Sequence, residues 1–154
     1  MRSVGRALGR ALLGTASDPV VIGIEGELGA GKTTLVAGVL ASMGVSGPVR
    51  SPTYTLVEPY ELPERAIYHL DLYRLADPRE AEALGIRDLL NTAAVLLIEW
   101  PSRGIGMLPH TDLDLDIQYE SEGRVLRVVS NTRCGDKLVQ AIVAAKPELS
   151  TLSP

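Results

Sequence analysis

The chain has 154 residues, enough for one domain, and 45% of them are apolar with no phenylalanine, so its core must be aliphatic. Net charge is −4, from 15 basic and 19 acidic side chains, which argues against a broad nucleic-acid-binding stripe. The single cysteine, Cys134, excludes an internal disulfide and fits a reducing, cytoplasmic setting, and no apolar run reaches membrane-spanning length.

Residues 3–13 place Val4, Ala7, Leu8, Ala11 and Leu12 at helical spacing. Val20 to Ile24 read as a buried strand. A Gly-rich turn follows, then a helix from Lys32 to Met43 with Leu35, Val36, Val39 and Leu40 on its apolar stripe and Gly44 suited to its C-cap. The stretch "RSPTYTLVEPY" reads as a loop entering a short strand, and residues 66–75 as a strongly alternating strand. Residues 77–85 read as a helix capped by Asp77, with Pro78 in the first position, Glu80 closing a capping box and Gly85 ending it. A short helix over 86–90 and a buried strand over 93–100 come next. Residues 112–119 and 124–131 alternate and, joined by Glu120 to Gly123, predict an antiparallel hairpin. Asp112, Asp114 and Asp116 lack the glycine and glutamate of a calcium loop, so they read as the solvated face of a strand. A last helix over 134–145 closes a single domain of residues 1–145, and 146–154 read as a disordered tail.

Chemistry concentrates in "GELGAGKT", Gly26 to Thr33, which fits the phosphate-binding pattern G-x4-G-K-[ST]. An apolar strand precedes it and an apolar-striped helix follows, as the motif requires. Gly26, Gly29 and Gly31 permit turns that aim successive N–H groups at phosphate oxygens, and the helix N-terminus adds positive potential. Lys32 would reach the β- and γ-phosphates and the Thr33 hydroxyl would ligate Mg²⁺.

A second apolar strand, Val95 to Glu99, ends in an acid, the form such enzymes use beside the metal. Asp71 competes for that role, because Ile67, His69, Asp71 and Tyr73 share one strand face. Asp71 then lies either at the strand's mouth near the metal or on a solvated face. His69 reads as a hydrogen-bonded core histidine, since one histidine and one carboxylate make no zinc site. Trp100, the only tryptophan, is a rim-packing aromatic, a lid over the nucleotide, or a docking anchor.

With these residues assembled, the sequence resembles the TsaE (YjeE) family of bacterial ATPases in tRNA threonylcarbamoyladenosine biosynthesis. The matching blocks, in order, are "GELGAGKTT", "SPTYTLVEPY", "YHLDLYRL", "LGIRDLL", "IEWP" and a late Gly123–Arg124, covering about residues 20–130. The resemblance implies a three-layer α/β fold of the P-loop NTPase class, with a mostly parallel sheet to which the hairpin would add a C-terminal antiparallel pair. It implies Mg·ATP as cofactor, slow ATP hydrolysis alone, and a complex with TsaB and TsaD through which tRNA is held mainly indirectly, with no membrane. It carries nucleotide contacts onto Leu28, Gly29, Ala30, Gly31, Lys32, Thr33, Thr34, Thr53 and Arg124. It carries magnesium positions onto Thr33, Asp71 and Glu99, catalytic roles onto Lys32, Asp71, Glu99 and Trp100, and a nucleotide-sensing switch onto Ser51 to Thr55. Members carry a further strand before the first helix. Its absence here implies that part of the adenine wall is missing or that the natural start lies upstream.

The expected reaction is attack of water on the γ-phosphate, with one acid at the metal and the other orienting the water; the sequence leaves those two roles open. A small-molecule kinase would need an arginine-rich lid, which no insertion supplies. A nucleotide-binding module that assembles a complex without hydrolysis is the other alternative. A GTPase would carry Asn-Lys-x-Asp, which does not occur.

Overall fold

The computed structural model describes residues 1–15, 18–90 and 93–146, so the tail expected over 146–154 lies, but for Lys146, outside the described residues. Six strands form one sheet in the order β2-β3-β4-β1-β5-β6. These are β1 (Val20–Gly26), β2 (Val57–Glu61), β3 (Ala66–Asp71), β4 (Ala94–Glu99), β5 (Leu113–Glu120) and β6 (Gly123–Ser130). The inner pairs β3–β4, β4–β1 and β1–β5 are parallel, and both edge strands pair antiparallel. The hairpin expected at the C-terminal edge is therefore present. The central strands β1 and β4 are buried on both faces over most of their length, which is why β4 is an unbroken apolar run until its last residue.

One face of the sheet carries α1 (Arg2–Leu13), α2 (Lys32–Ser42) and α5 (Arg133–Ala145) over a cluster that includes Leu8, Ile22, Leu35, Leu97 and Leu138. The other packs Leu70, Leu96 and Ile98 against α3 (Glu80–Ala83) and α4 (Ile86–Leu89). Among the described residues, no helix is long and apolar enough to cross a membrane.

Two expected elements are shorter than their patterns suggested. The strand beginning at Ala66 stops at Asp71 rather than at residue 75, because the Asp71 carboxylate accepts the Tyr73 N–H at 3.0 Å and turns the chain. The helix expected over 77–85 is regular only from Glu80 to Ala83. Asp77 does not act as its formal cap: its carboxylate accepts the Arg79 N–H at 2.9 Å and binds the Arg79 guanidinium at 2.6 Å. Tighter three-residue turns precede the helix, with Glu80 N–H on Asp77 O and Ala81 N–H on Pro78 O, both at 3.0 Å. Gly85 does end it, in the left-handed region at φ 63°. The three aspartates are joined to the protein's own donors. Asp112 accepts from Val21 N and the Thr132 hydroxyl, Asp114 from Asn131 and Asp116 from Gln118.

Glycines set the spacing of α1 on α2. A Cβ at Gly38 would lie 2.3 Å from the Arg2 carbonyl oxygen, and one at Gly5 would lie 2.0 Å from the Leu35 carbonyl oxygen. No side-chain rotation relieves a clash with backbone, so Gly38→Ala must push α1 off α2. We expect this substitution to cost about 2–3 kcal/mol, lowering the melting temperature by about 5–10 °C. A wild-type melting curve would contradict the packing described.

Candidate active site

Parallel strands bring their C-terminal ends to one edge, and the glycine loop lies across it. Asp71 and Glu99 end adjacent strands and are register partners. Both are almost fully buried, at 4% and 2% exposure, as is Lys32 at 5%. Buried acids need partners, and each has a distinct set.

Glu99 accepts the Thr33 hydroxyl at 2.9 Å and the His69 Nε2–H at 2.8 Å. A proton on Nε2 serves the carboxylate and leaves Nδ1, which is buried without a partner among the described residues, as an acceptor, a lesser cost than an orphaned N–H. His69 is thus a core histidine with a specific task, fixing the Glu99 carboxylate from behind. Asp71 is held from the other side: its Oδ2 accepts Thr53 Oγ1 at 3.2 Å and a short hydrogen bond from Ser51 Oγ. The 51–53 strap is therefore tied to the second acid and not to the first.

Lys32 Nζ donates to the Gly26 and Glu27 carbonyls at 2.6 and 2.8 Å and lies 3.8 Å from the Trp100 ring centroid. Burial pushes its pKa below the usual lysine value, against the raising fields of Glu99, Glu25 and Asp71. Trp100 itself sits in the left-handed region at φ 60°, as does Leu56 at φ 64°. Such non-glycine outliers store strain of roughly 1–2 kcal/mol and concentrate at functional positions. Here they flank the cleft, Trp100 at the turn out of β4 and Leu56 at the end of the strap.

A cleft of about 320 Å³ is lined by Leu28, Gly29, Gly31, Lys32, Thr33, Thr34, Ser51, Thr53, Asp71, Tyr73, Glu99 and Trp100. The structure thus brings together nearly all the residues singled out in the sequence. Ala30 is turned into the core at 2% exposure, so only its backbone is available to the loop. Arg124 lies outside the lining, stacked on Tyr119. Sequence reasoning passed over Tyr73, whose ring stands 5.1 Å from Trp100, and Tyr119, whose hydroxyl reaches the loop. The signal for Tyr73 was present in the alternation with Asp71; nothing local marked Tyr119. A larger cleft, about 390 Å³, opens at the opposite sheet end beside Arg65. That guanidinium is committed to the Leu12 and Asp18 carbonyls and the Thr15 hydroxyl, where it closes the end of α1.

The donor set of the first cleft fits a magnesium ion. Thr33, Asp71 and Glu99 offer one hydroxyl and two carboxylates, all hard oxygen donors. Among the described residues no group of three or more His, Cys, Asp or Glu side chains gathers to cage an ion. A bound ion would complete its shell with phosphate and water, as Mg²⁺ prefers.

Comparison with known proteins agrees with this architecture. Residues 2–127 match the family described as threonylcarbamoyl adenosine biosynthesis protein TsaE. The chain is 47% identical over 122 residues to the tRNA threonylcarbamoyladenosine biosynthesis protein TsaE of Haemophilus influenzae, covering 79% of this chain and 77% of that one. It is 31% identical over 132 residues to the Bacillus subtilis protein of the same name, covering 86% and 81%. The Mycobacterium leprae protein is 39% identical over 136 residues, with 80% of each chain covered. The crystal structure of Bacillus subtilis YdiB superposes with a TM-score of 0.73 at 23% identity, covering 94% of this chain and 90% of that one, which supports the fold. The chain belongs to the TsaE family, whose members take part in tRNA threonylcarbamoyladenosine biosynthesis.

Proposed function

We propose that this protein is a P-loop ATPase that binds and hydrolyses Mg·ATP in support of threonylcarbamoyladenosine modification of tRNA, acting in the cytoplasm with TsaB and TsaD. The observation that carries the reading is the Thr33–Glu99 hydrogen bond beside Lys32, at the mouth of a glycine loop with free amides. Among the described residues, the N–H groups of Gly29, Gly31, Lys32 and Thr33 have no protein acceptor. They form a concave set of donors at a helix N-terminus, suited to a polyphosphate.

In this reading the loop amides grip the phosphates, and Lys32 leaves the Gly26 and Glu27 carbonyls for the β- and γ-phosphate oxygens. Thr33 and Glu99 would hold Mg²⁺, which supplies neutralisation of the phosphate charge when bound. On this reading Glu99, which already accepts the Thr33 hydroxyl, stands at the ion, and Asp71 orients the attacking water. Ser51 and Thr53, tied to Asp71, make the strap responsive to what Asp71 binds. Trp100 covers Lys32 and keeps water from it.

Lys32 stacks on the chain's single tryptophan, so nucleotide binding has an optical signature. We expect Mg·ADP to change Trp100 emission saturably as the ammonium leaves the ring; an unchanged spectrum would contradict the proposed movement. The function itself is tested by phosphate release from Mg·ATP, alone and with TsaB and TsaD added. Slow release that the pair accelerates is expected. Tight binding without release in either mixture would replace hydrolysis with a purely assembling role.

A further inference from the structure

The far end of the β5–β6 hairpin stands over the glycine loop, and the reaction described above makes no use of it. Tyr119 and Arg124 are cross-strand partners there, with the guanidinium 3.9 Å from the ring centroid. Each donates to the loop: Tyr119 Oη to the Leu28 carbonyl at 3.0 Å, and Arg124 Nε to the Ala30 carbonyl at 3.3 Å. The Tyr119 hydroxyl also lies 3.0 Å from where a Cβ on Gly29 would sit, and the Gly29 φ of 76° is one that favours glycine.

The two anchored carbonyls bracket Gly29. In a trans peptide the C=O and the next residue's N–H point in opposite directions. Drawing the Leu28 and Ala30 carbonyls outward to the hairpin therefore turns the Gly29 and Gly31 N–H groups away from it, toward the cleft. Neither N–H has a protein acceptor among the described residues.

We propose that Tyr119 and Arg124 are positioning residues that hold the loop in its phosphate-gripping shape before any nucleotide arrives. Resting on the nucleotide reading of the cleft, this assigns the hairpin to recognition of the polyphosphate and not of the base. A glycine-rich loop left free would have to be ordered on binding, at an entropic cost that lowers affinity. The paired anchors remove that cost in advance.

Two variants isolate the effect. Tyr119→Phe keeps the ring and removes the hydroxyl; Arg124→Lys keeps the charge and removes the Nε donor. Titration calorimetry on the full chain would use Mg·ADP and, separately, magnesium tripolyphosphate. Each variant is expected to weaken both ligands about five-fold, while its ligand-free melting temperature stays within about 2 °C of wild type. In nucleotide-free protein the Gly29 amide resonance should also shift in Tyr119→Phe. Affinities within two-fold of wild type for both ligands would overturn the proposal. So would a loss confined to Mg·ADP, which would place the pair on the base. If the wild type bound neither ligand, the nucleotide reading would fall and the proposal with it, a result distinct from the other two.

Discussion

Replacing Lys32 with alanine is expected to lower ATP turnover by about 10²–10³-fold and to weaken Mg·ATP binding at least about ten-fold. The size follows from what the ammonium does. It is buried at 5% exposure and held by two loop carbonyls and an indole ring. None of these partners carries the charge a cation seeks, and burial already disfavours its protonated form. A triphosphate offers that charge, so the move from carbonyls to phosphate strengthens as charge builds on the transferring group. Alanine removes this gain and also frees the Gly26 and Glu27 carbonyls. Phosphate-release kinetics with a parallel binding titration would show both effects, and turnover within three-fold of wild type would remove Lys32 from the mechanism.

The second large effect is expected at Glu99. Glu99→Gln should cut turnover by about 10²-fold while leaving the melting temperature equal to or above wild type. Glutamine keeps the size, and its carbonyl can still accept from Thr33 and His69. What it lacks is the negative charge, which is costly to bury at 2% exposure without a metal. A site held for function against stability should lose activity and not stability when relaxed. Turnover and melting curves on the same preparation check this. Full activity would exclude Glu99 from the chemistry, and collapse of both quantities would mark it as structural.

Much of this was legible in the sequence, for identifiable reasons. The glycine loop declares itself because its residue types are dictated by backbone geometry, and its flanking strand and helix confirm it. The central strands β1 and β4 declare themselves as apolar runs because both of their faces are covered. Glu99 stood out because an acid closing such a run must have a partner. The sequence could not say what each acid binds, since that depends on side chains distant in the chain. Thr33 reaches Glu99 across 66 positions, and Ser51 reaches Asp71 across 20.

Other features were hidden by competition between groups. The helix signals at 77–85 were sound individually, but Arg79 draws the Asp77 carboxylate to itself and the regular helix starts late. Alternation after Asp71 suggested a longer strand, but that acid binds a backbone N–H two residues on and ends it. Tyr119 and Arg124 carry no local mark at all. Their meaning comes from the hairpin register, which sets them side by side above a loop some 90 residues earlier.

The most direct test of the central claim is a crystal structure of the wild-type chain with Mg²⁺ and a non-hydrolysable ATP analogue. The β- and γ-phosphates are expected within the Gly26–Thr33 loop, with Lys32 moved from the Gly26 carbonyl and the Trp100 ring onto them, and with Thr33 and Glu99 at the ion. An analogue bound elsewhere, or a loop still occupied by the Lys32 ammonium with both acids away from the metal, would contradict that claim.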